Sequence, residues 1–163
     1  VIIRGNNKSN RLEGTNKADQ IYGYGGNDKI SGRQGADTID AGTGNDTLGG
    51  GGGHDILKGG TGADTFIFRS YRAADSDHIR DFKHGVDKLA FDHATFDTLK
   101  AGNLSSAAFF AGEKAHDAND RFIYDKKTGR LFYDDDGKGG HAQHLVATLD
   151  NHPTLTASDI FLL

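Results

Sequence analysis

Apolar residues return every nine positions over the first part of the chain. From Gly5 the sequence divides without insertion into seven nonapeptides: GNNKSNRLE, GTNKADQIY, GYGGNDKIS, GRQGADTID, AGTGNDTLG, GGGGHDILK and GGTGADTFI. Their eighth position holds Leu12, Ile21, Ile30, Ile39, Leu48, Leu57 and Phe66, flanked mostly by polar residues. Positions 7–9 have room for only a brief strand with one inward side chain. Positions 1–6 are rich in Gly, which accepts the positive φ angles of tight turns. A short unit that cannot bury its apolar residue alone must stack on its neighbours.

Composition sharpens this picture. Seventeen of the 24 glycines fall in the repeated block, five of them consecutive at positions 49–53. With 163 residues, the chain suits one or two small domains. Cys is absent, which removes disulfides and thiol catalysis. The net charge is -4 and there is no basic block, so nucleic acid is not expected as a partner. No apolar run approaches a membrane span. The opening VIIRGNNKSN lacks the apolar core of a secretory leader and reads like a cut through a longer protein.

The charge pattern follows the same period. The sixth position reads Asn10, Asp19, Asp28, Asp37, Asp46, Asp55 and Asp64, and the fourth is Gly from Gly26 onward, after Lys8 and Lys17. Over residues 5–67 this register resembles the RTX, or hemolysin-type, calcium-binding repeats of bacterial exported proteins. The resemblance implies an all-β fold: a right-handed parallel β-roll with two nonapeptides per coil. Leu12, Ile30, Leu48 and Phe66 would then line one sheet, and Ile21, Ile39 and Leu57 the other. One apolar side chain per nonapeptide is little against the entropy lost in ordering Gly-rich chain. Stacked aspartates also repel one another. A cation between them removes the conflict. Calcium suits, because it takes six to eight oxygen ligands in flexible geometry; zinc wants His or Cys, and magnesium a tighter octahedron.

The family pattern implies how the ligands are shared. One Ca2+ joins Asp28 and Asp46 with the carbonyls of Tyr24, Gly26, Ala41 and Thr43. A second joins Asp37 and Asp55 with Arg33, Gly35, Gly50 and Gly52. A third joins Asp46 and Asp64 with Gly42, Gly44, Gly59 and Thr61. Asp19 and Asp37 form a further site, although Lys17 stands where Gly is usual. Asn10 brings no charge, so the first units read as an end cap. Without a metal, the same aspartates would be turn formers on a solvated edge.

Residues 68–163 lose the period. Asp75–Phe91 resembles the segment after the roll in serralysin-type proteases, where an acidic residue completes the last calcium sites; Asp77 is the better match and Asp75 the second. Ile79, Phe82, Val86, Leu89 and Phe91 are expected in the core of a capping β-structure. Arg121–Leu149 reads as a β-meander with strands at Phe122–Tyr124, Leu131–Tyr133 and His144–Leu149 and a turn at Gly129. The insert from Asp134 to Gly137 is shaped like the start of a calcium loop, but it lacks the closing glutamate of an EF-hand. Short helices are expected near Ala94–Leu99 and after Leu104. The terminal LTASDIFLL resembles the uncleaved export signal of type I secreted proteins, and reads equally as a final edge strand.

No catalytic arrangement stands out. The eight His form no His-Glu-x-x-His pair, and the Ser residues lack a nucleophile elbow. The sequence therefore divides into a roll (1–67) and a capping and secretion-signal region (68–163). Two readings remain open. One is a calcium-dependent folding and export module of a secreted protein, with the type I secretion machinery as transient partner. The other is a module that binds an acidic polysaccharide or a cell surface through a thin line of Lys29, Arg33 and Lys58, extended by Arg69 and Arg72. In either case a protease, lipase or epimerase domain could precede it in the full protein.

Overall fold

The structure is a computed structural model that describes all residues, Val1–Leu163. Successive strands alternate between two parallel sheets. Strands β1 (Ile2–Asn6), β3 (Gln20–Tyr24), β5 (Thr38–Thr43) and β7 (Ile56–Thr61) build one sheet. Strands β2 (Arg11–Glu13), β4 (Lys29–Gln34), β6 (Thr47–Gly52) and β8 (Thr65–Phe68) build the other. Each strand pairs with the strand one coil away, as in Ile30 with Leu48 and Ile39 with Leu57. This is a β-roll of two nonapeptides per coil. The eighth-position residues are buried from Ile21 to Phe66, whereas Leu12, in the end coil, is half-buried.

The strands are longer than the expected three residues. β4 to β7 each run for six, over positions 7–9 and on through positions 1–3 of the next unit. Two inward positions follow from this, because side chains alternate along a strand. The second is position 1: Gly14, Gly23, Gly32, Ala41, Gly50 and Gly59 are all buried. Positive φ is confined to positions 2 and 4 of the turns, and at position 2 two residues adopt it without being Gly: Tyr24 (75°) and Arg33 (77°).

The sheets run on beyond residue 67. The short strand β9 (Asp77–Ile79) extends the first, followed by β15 (His144–Leu149), β14 (Arg130–Tyr133), β13 (Phe122–Asp125) and β12 (Phe109–Ala111). The second continues through β10 (Lys88–Phe91), β16 (Ile160–Leu162) and β11 (Gly102–Asn103). β13–β15 form the expected antiparallel meander. One hydrophobic cluster of 25 buried residues spans both regions, from Ile21 to Leu162. Aromatic rings fill its C-terminal part, where Phe91 stacks on Phe68 at 5.0 Å and lies 4.5 Å from Phe122.

The short helix expected after Leu104 is present as one 3-10 turn, Ser106–Ala108. Three other expectations are corrected. Ala94–Leu99 is a run of turns closed by bonds from Thr95 and Phe96 to Asp92, because a stretch with Thr95 and Thr98 is a weak helix former. Val86 is half-buried, while its neighbour Asp87 points inward. The final strand β16 is not an edge, since β11 pairs along its outer side.

Candidate metal centre

Stacking the coils brings the sixth-position residues into two ladders. On one edge, the backbone N–H of Asn10 donates to Asp28 Oδ1 at 2.7 Å, that of Asp28 to Asp46 Oδ1 at 2.7 Å, and that of Asp46 to Asp64 Oδ1 at 2.9 Å. On the other edge, Asp19 donates to Asp37 Oδ1 at 2.8 Å and Asp37 to Asp55 Oδ1 at 2.7 Å. All six repeat aspartates are buried.

Each carboxylate therefore spends one oxygen on a backbone donor. The Oδ2 atoms of Asp28, Asp37, Asp46, Asp55 and Asp64 are buried and meet no donor. Buried acceptors without partners are costly, and buried unpaired charges more so. The surroundings deepen the deficit. A Cβ built on Gly23 would lie 2.3 Å from Asp28 Oδ2 and 2.4 Å from Ala41 O. One on Gly32 would lie 2.2 Å from Asp37 Oδ2 and 2.5 Å from Gly50 O. Carboxylate and carbonyl oxygens thus crowd the same space with no hydrogen between them.

The acidities show the same frustration. Burial, opposed in part by the Asp19 N–H and reinforced by the charges of Asp55 and Asp19, pushes Asp37 up to about 6. Burial and the charges of Asp87, Asp46 and Asp81 bring Asp64 to about 6 against the pull of the Asp46 N–H. Asp46 and Asp55 are raised by burial as well. Asp19 is the exception, held near 2 by the Val1 ammonium 2.8 Å away and by the Thr15 N–H.

Beyond the repeats, Asp77 takes the next rung: its Oδ1 accepts the N–H of Asp55 at 3.2 Å, and burial with the charge of Asp55 raises it to about 9. Asp75 sits beside it and accepts from Gly53 N–H and Ser70 Oγ. Sequence reading missed two more acids. Asp87 Oδ1 accepts the N–H of Asp64 at 3.0 Å, and Asp81 accepts from Gly59 and Gly60 N–H. Their signal was the spacing of acids in DHIRDFKHGVD, read as core pattern alone.

The expected carbonyl donors divide by position. Those of position 1 lie against the free carboxylate oxygens, as Ala41 and Gly50 show. Those of positions 2 and 4 face the glycine of the next coil: Tyr24 O lies 2.2 Å from a Cβ on Gly42, and Gly26 O 2.1 Å from one on Gly44. Of position 3, Gly52 O and Thr61 O each already accept a backbone N–H, from Gly35 and Gly44. No His or Cys belongs to either ladder, so the donor set is all oxygen. The Asp134–Asp136 turn is closed by its own backbone: Asp134 accepts from Asp136 N–H, and Asp136 from Gly140 and His141 N–H.

The basic line is not one surface. Lys29 and Arg33 project from the second sheet, whereas Lys58 lies on the first and is paired with Asp40 at 2.9 Å. Strand alternation with two sheets per coil separates them.

Comparison with known proteins agrees with this geometry. Residues 4–39 and 31–66 match the RTX calcium-binding nonapeptide repeat, four copies each time. No curated protein sequence matches significantly. Among solved structures, the R2 subunit of AlgE6, a mannuronan C5-epimerase of Azotobacter vinelandii, is 26% identical and superposes with a TM-score of 0.57, over 93% of this chain and 91% of that one. The R3 subunit of the same enzyme aligns at 24% identity over 95% and 79% with a TM-score of 0.31, too loose to carry weight. No helix of this chain is long and apolar enough to cross a membrane. Register, ladders and architecture coincide: residues 4–66 are an RTX calcium-binding nonapeptide repeat region, folded as a β-roll.

Proposed function

We propose that this chain is a non-catalytic module that folds when calcium binds outside the cell and that supports the export and stability of a larger secreted protein. The observation that carries this reading is the pair of aspartate ladders, in which Asp28, Asp37, Asp46, Asp55 and Asp64 each keep a buried oxygen that lacks a donor. Such oxygens suit a hard cation. Asp28 with Asp46, Asp46 with Asp64, Asp37 with Asp55, Asp19 with Asp37 and Asp55 with Asp77 would hold the ions, together with carbonyls of positions 1 to 4. Calcium supplies the positive charge that the ladders lack. In a low-calcium cytosol the stacked carboxylates keep the repeats open, which suits passage through a narrow channel. Outside, calcium at roughly 10⁻⁴–10⁻³ M favours the folded state alone and so drives folding. Residues 68–163 then act as the cap on which the roll 1–67 is built.

Ion counting by native mass spectrometry tests the assignment. Asp46 serves two gaps, so Asp46→Ala should lose two ions relative to the parent. Asn10→Ala, at the uncharged rung, should lose none. Equal counts for Asp46→Ala and the parent would refute the ligand set.

A second reading has its own support. A groove of about 340 Å³ crosses the outer face of the second sheet, banked by Arg11, Lys29, Arg33 and Arg69, with Glu13 between them paired to Arg11 at 3.0 Å and to Arg33, and floored by Ser31 and Gly49. The R2 subunit that superposes on this chain belongs to an epimerase of mannuronan, a polysaccharide. An acidic polysaccharide fits such a groove by charge. Binding of mannuronan measured at constant calcium separates the readings: Arg33→Ala with Arg69→Ala should weaken it if the groove is a site, and leave folding by calcium intact.

A further inference from the structure

A second ladder runs beside the aspartates, on one edge of the roll only. It is made by the fifth position of each turn, next to the aspartate. On the first edge that position holds Ser9, Asn27, Asn45 and Ala63; on the other it holds Ala18, Ala36 and His54. The N–H of Asn27 donates to Ser9 Oγ at 3.1 Å, that of Asn45 to Asn27 Oδ1 at 2.9 Å, and that of Ala63 to Asn45 Oδ1 at 2.9 Å. On the other edge, the N–H groups of Ala36 and His54 make no bond within the protein.

The two ladders run in opposite directions. Between Asp28 and Asp46, the Asp28 N–H points forward to Asp46 Oδ1 at 2.7 Å, and the Asn45 N–H points back to Asn27 Oδ1. The gap between Asp46 and Asp64 is spanned in the same double way. The gap between Asp37 and Asp55 has the aspartate bond alone. The fifth residue stands between the carbonyl of position 4 and the carboxylate of position 6, so a bond there fixes the spacing of neighbouring turns beside the oxygens that face the gap. Asn27 and Asn45 are exposed and serve no core. Their Oδ1 atoms lie against the next coil, 3.1 and 3.0 Å from a Cβ built on Gly44 and Gly62. A neutral amide draws the coils together without adding to the charge of the aspartates.

We infer that Asn27 and Asn45 are positioning residues for calcium: they hold the first-edge turns at ion spacing before the ion arrives, so the Asp28–Asp46 and Asp46–Asp64 gaps bind calcium more tightly than the Asp37–Asp55 gap and empty last. This rests on the calcium reading of the aspartate ladders. It adds an order of filling, which the aspartates alone, alike on both edges, do not give. Preorganisation raises affinity by removing part of the ordering that binding must otherwise supply. A single neutral hydrogen bond is worth roughly five- to tenfold in a binding constant.

The test is amide NMR of the full chain while calcium is withdrawn with a chelator. The N–H signals of Asp28, Asp46 and Asp37 each report one gap. In the parent, the Asp37 signal should be lost at roughly five- to tenfold higher free calcium than the other two. Asn45→Ala removes the acceptor for the Ala63 N–H, and should raise the calcium level at which Asp46 is lost by about the same factor while Asp28 stays. Asn45→Ser keeps an acceptor, as Ser9 does, and should restore the parent's order. Ala36→Asn supplies the second edge with an acceptor for the His54 N–H, and should protect the Asp37 signal to lower calcium. Loss of all three signals at one calcium level in the parent, or an equal shift of all three in Asn45→Ala, would mark a merely structural ladder and overturn the inference. Should Asn45→Ala fail to fold, an unmoved Asp37 signal in Ala36→Asn would overturn it instead. A parent chain that binds no calcium would sink the reading of the aspartate ladders themselves.

Discussion

Gly32 has an ordinary negative-side backbone, so its lack of a side chain serves space rather than φ. A methyl there would press on Asp37 Oδ2 and Gly50 O. Gly32→Ala should therefore cost about 1–3 kcal/mol, the usual penalty for overpacking, in urea unfolding at saturating calcium. Tyr24 is the converse. Its φ of 75° is strained for a residue with a Cβ, at a place where Gly42 and Gly60 adopt the same turn freely. Tyr24→Gly should raise stability by up to about 1 kcal/mol, less what its stacking on Tyr22 at 6.3 Å contributes. The same unfolding series measures both. The two substitutions show what was legible in the nonapeptide. Its period exposed the aspartates and the inward apolar residue directly. It did not expose the second inward position, because Gly leaves the same trace in a sequence whether it is needed for φ or for room.

At the level of the ladder, proton and metal compete for the same oxygens. Asp37 and Asp64 rise from the ordinary carboxylate range to about 6, and Asp77 to about 9, through burial first. A group whose folded pKa is raised gives stability that is present below its unfolded value and lost as pH climbs through the folded one. Without metal, the roll should thus be more stable near pH 4 than at pH 7, with the loss from Asp37 and Asp64 spread between about 4 and 6 and that from Asp77 continuing towards 9. With calcium the order inverts, because protonation below about 6 removes the ligands. The β-sheet signal in far-UV circular dichroism at pH 4.5 and 7.5, each with EDTA and with calcium, gives four values. The account expects a crossing; parallel shifts in both solutions would contradict it.

For the molecule as a whole, roll and cap share one core. Phe82, buried in the segment after the repeats, packs 6.2 Å from Phe66 of the last nonapeptide. Phe82→Ala should cost about 3–5 kcal/mol and shift the calcium midpoint of the entire module upward, although no metal ligand is touched. A calcium titration followed by tryptophan-free near-UV signals of Tyr and Phe would show it. The repeat half of this architecture was legible because each nonapeptide repeats one solution nine residues on. The rest was less so. Asp81 and Asp87 reach the ladder only through the course of the chain between β8 and β10, which no local pattern encodes. Lys58 joined the wrong face for a similar reason: a linear row of basic residues does not say which of two sheets each one leaves. The decisive experiment is a far-UV circular dichroism titration of the metal-free chain with calcium at neutral pH. The account predicts a largely unordered spectrum in EDTA that turns cooperatively to β-sheet near 10⁻⁴–10⁻³ M calcium. A full β spectrum in EDTA, unchanged on adding calcium, would contradict it.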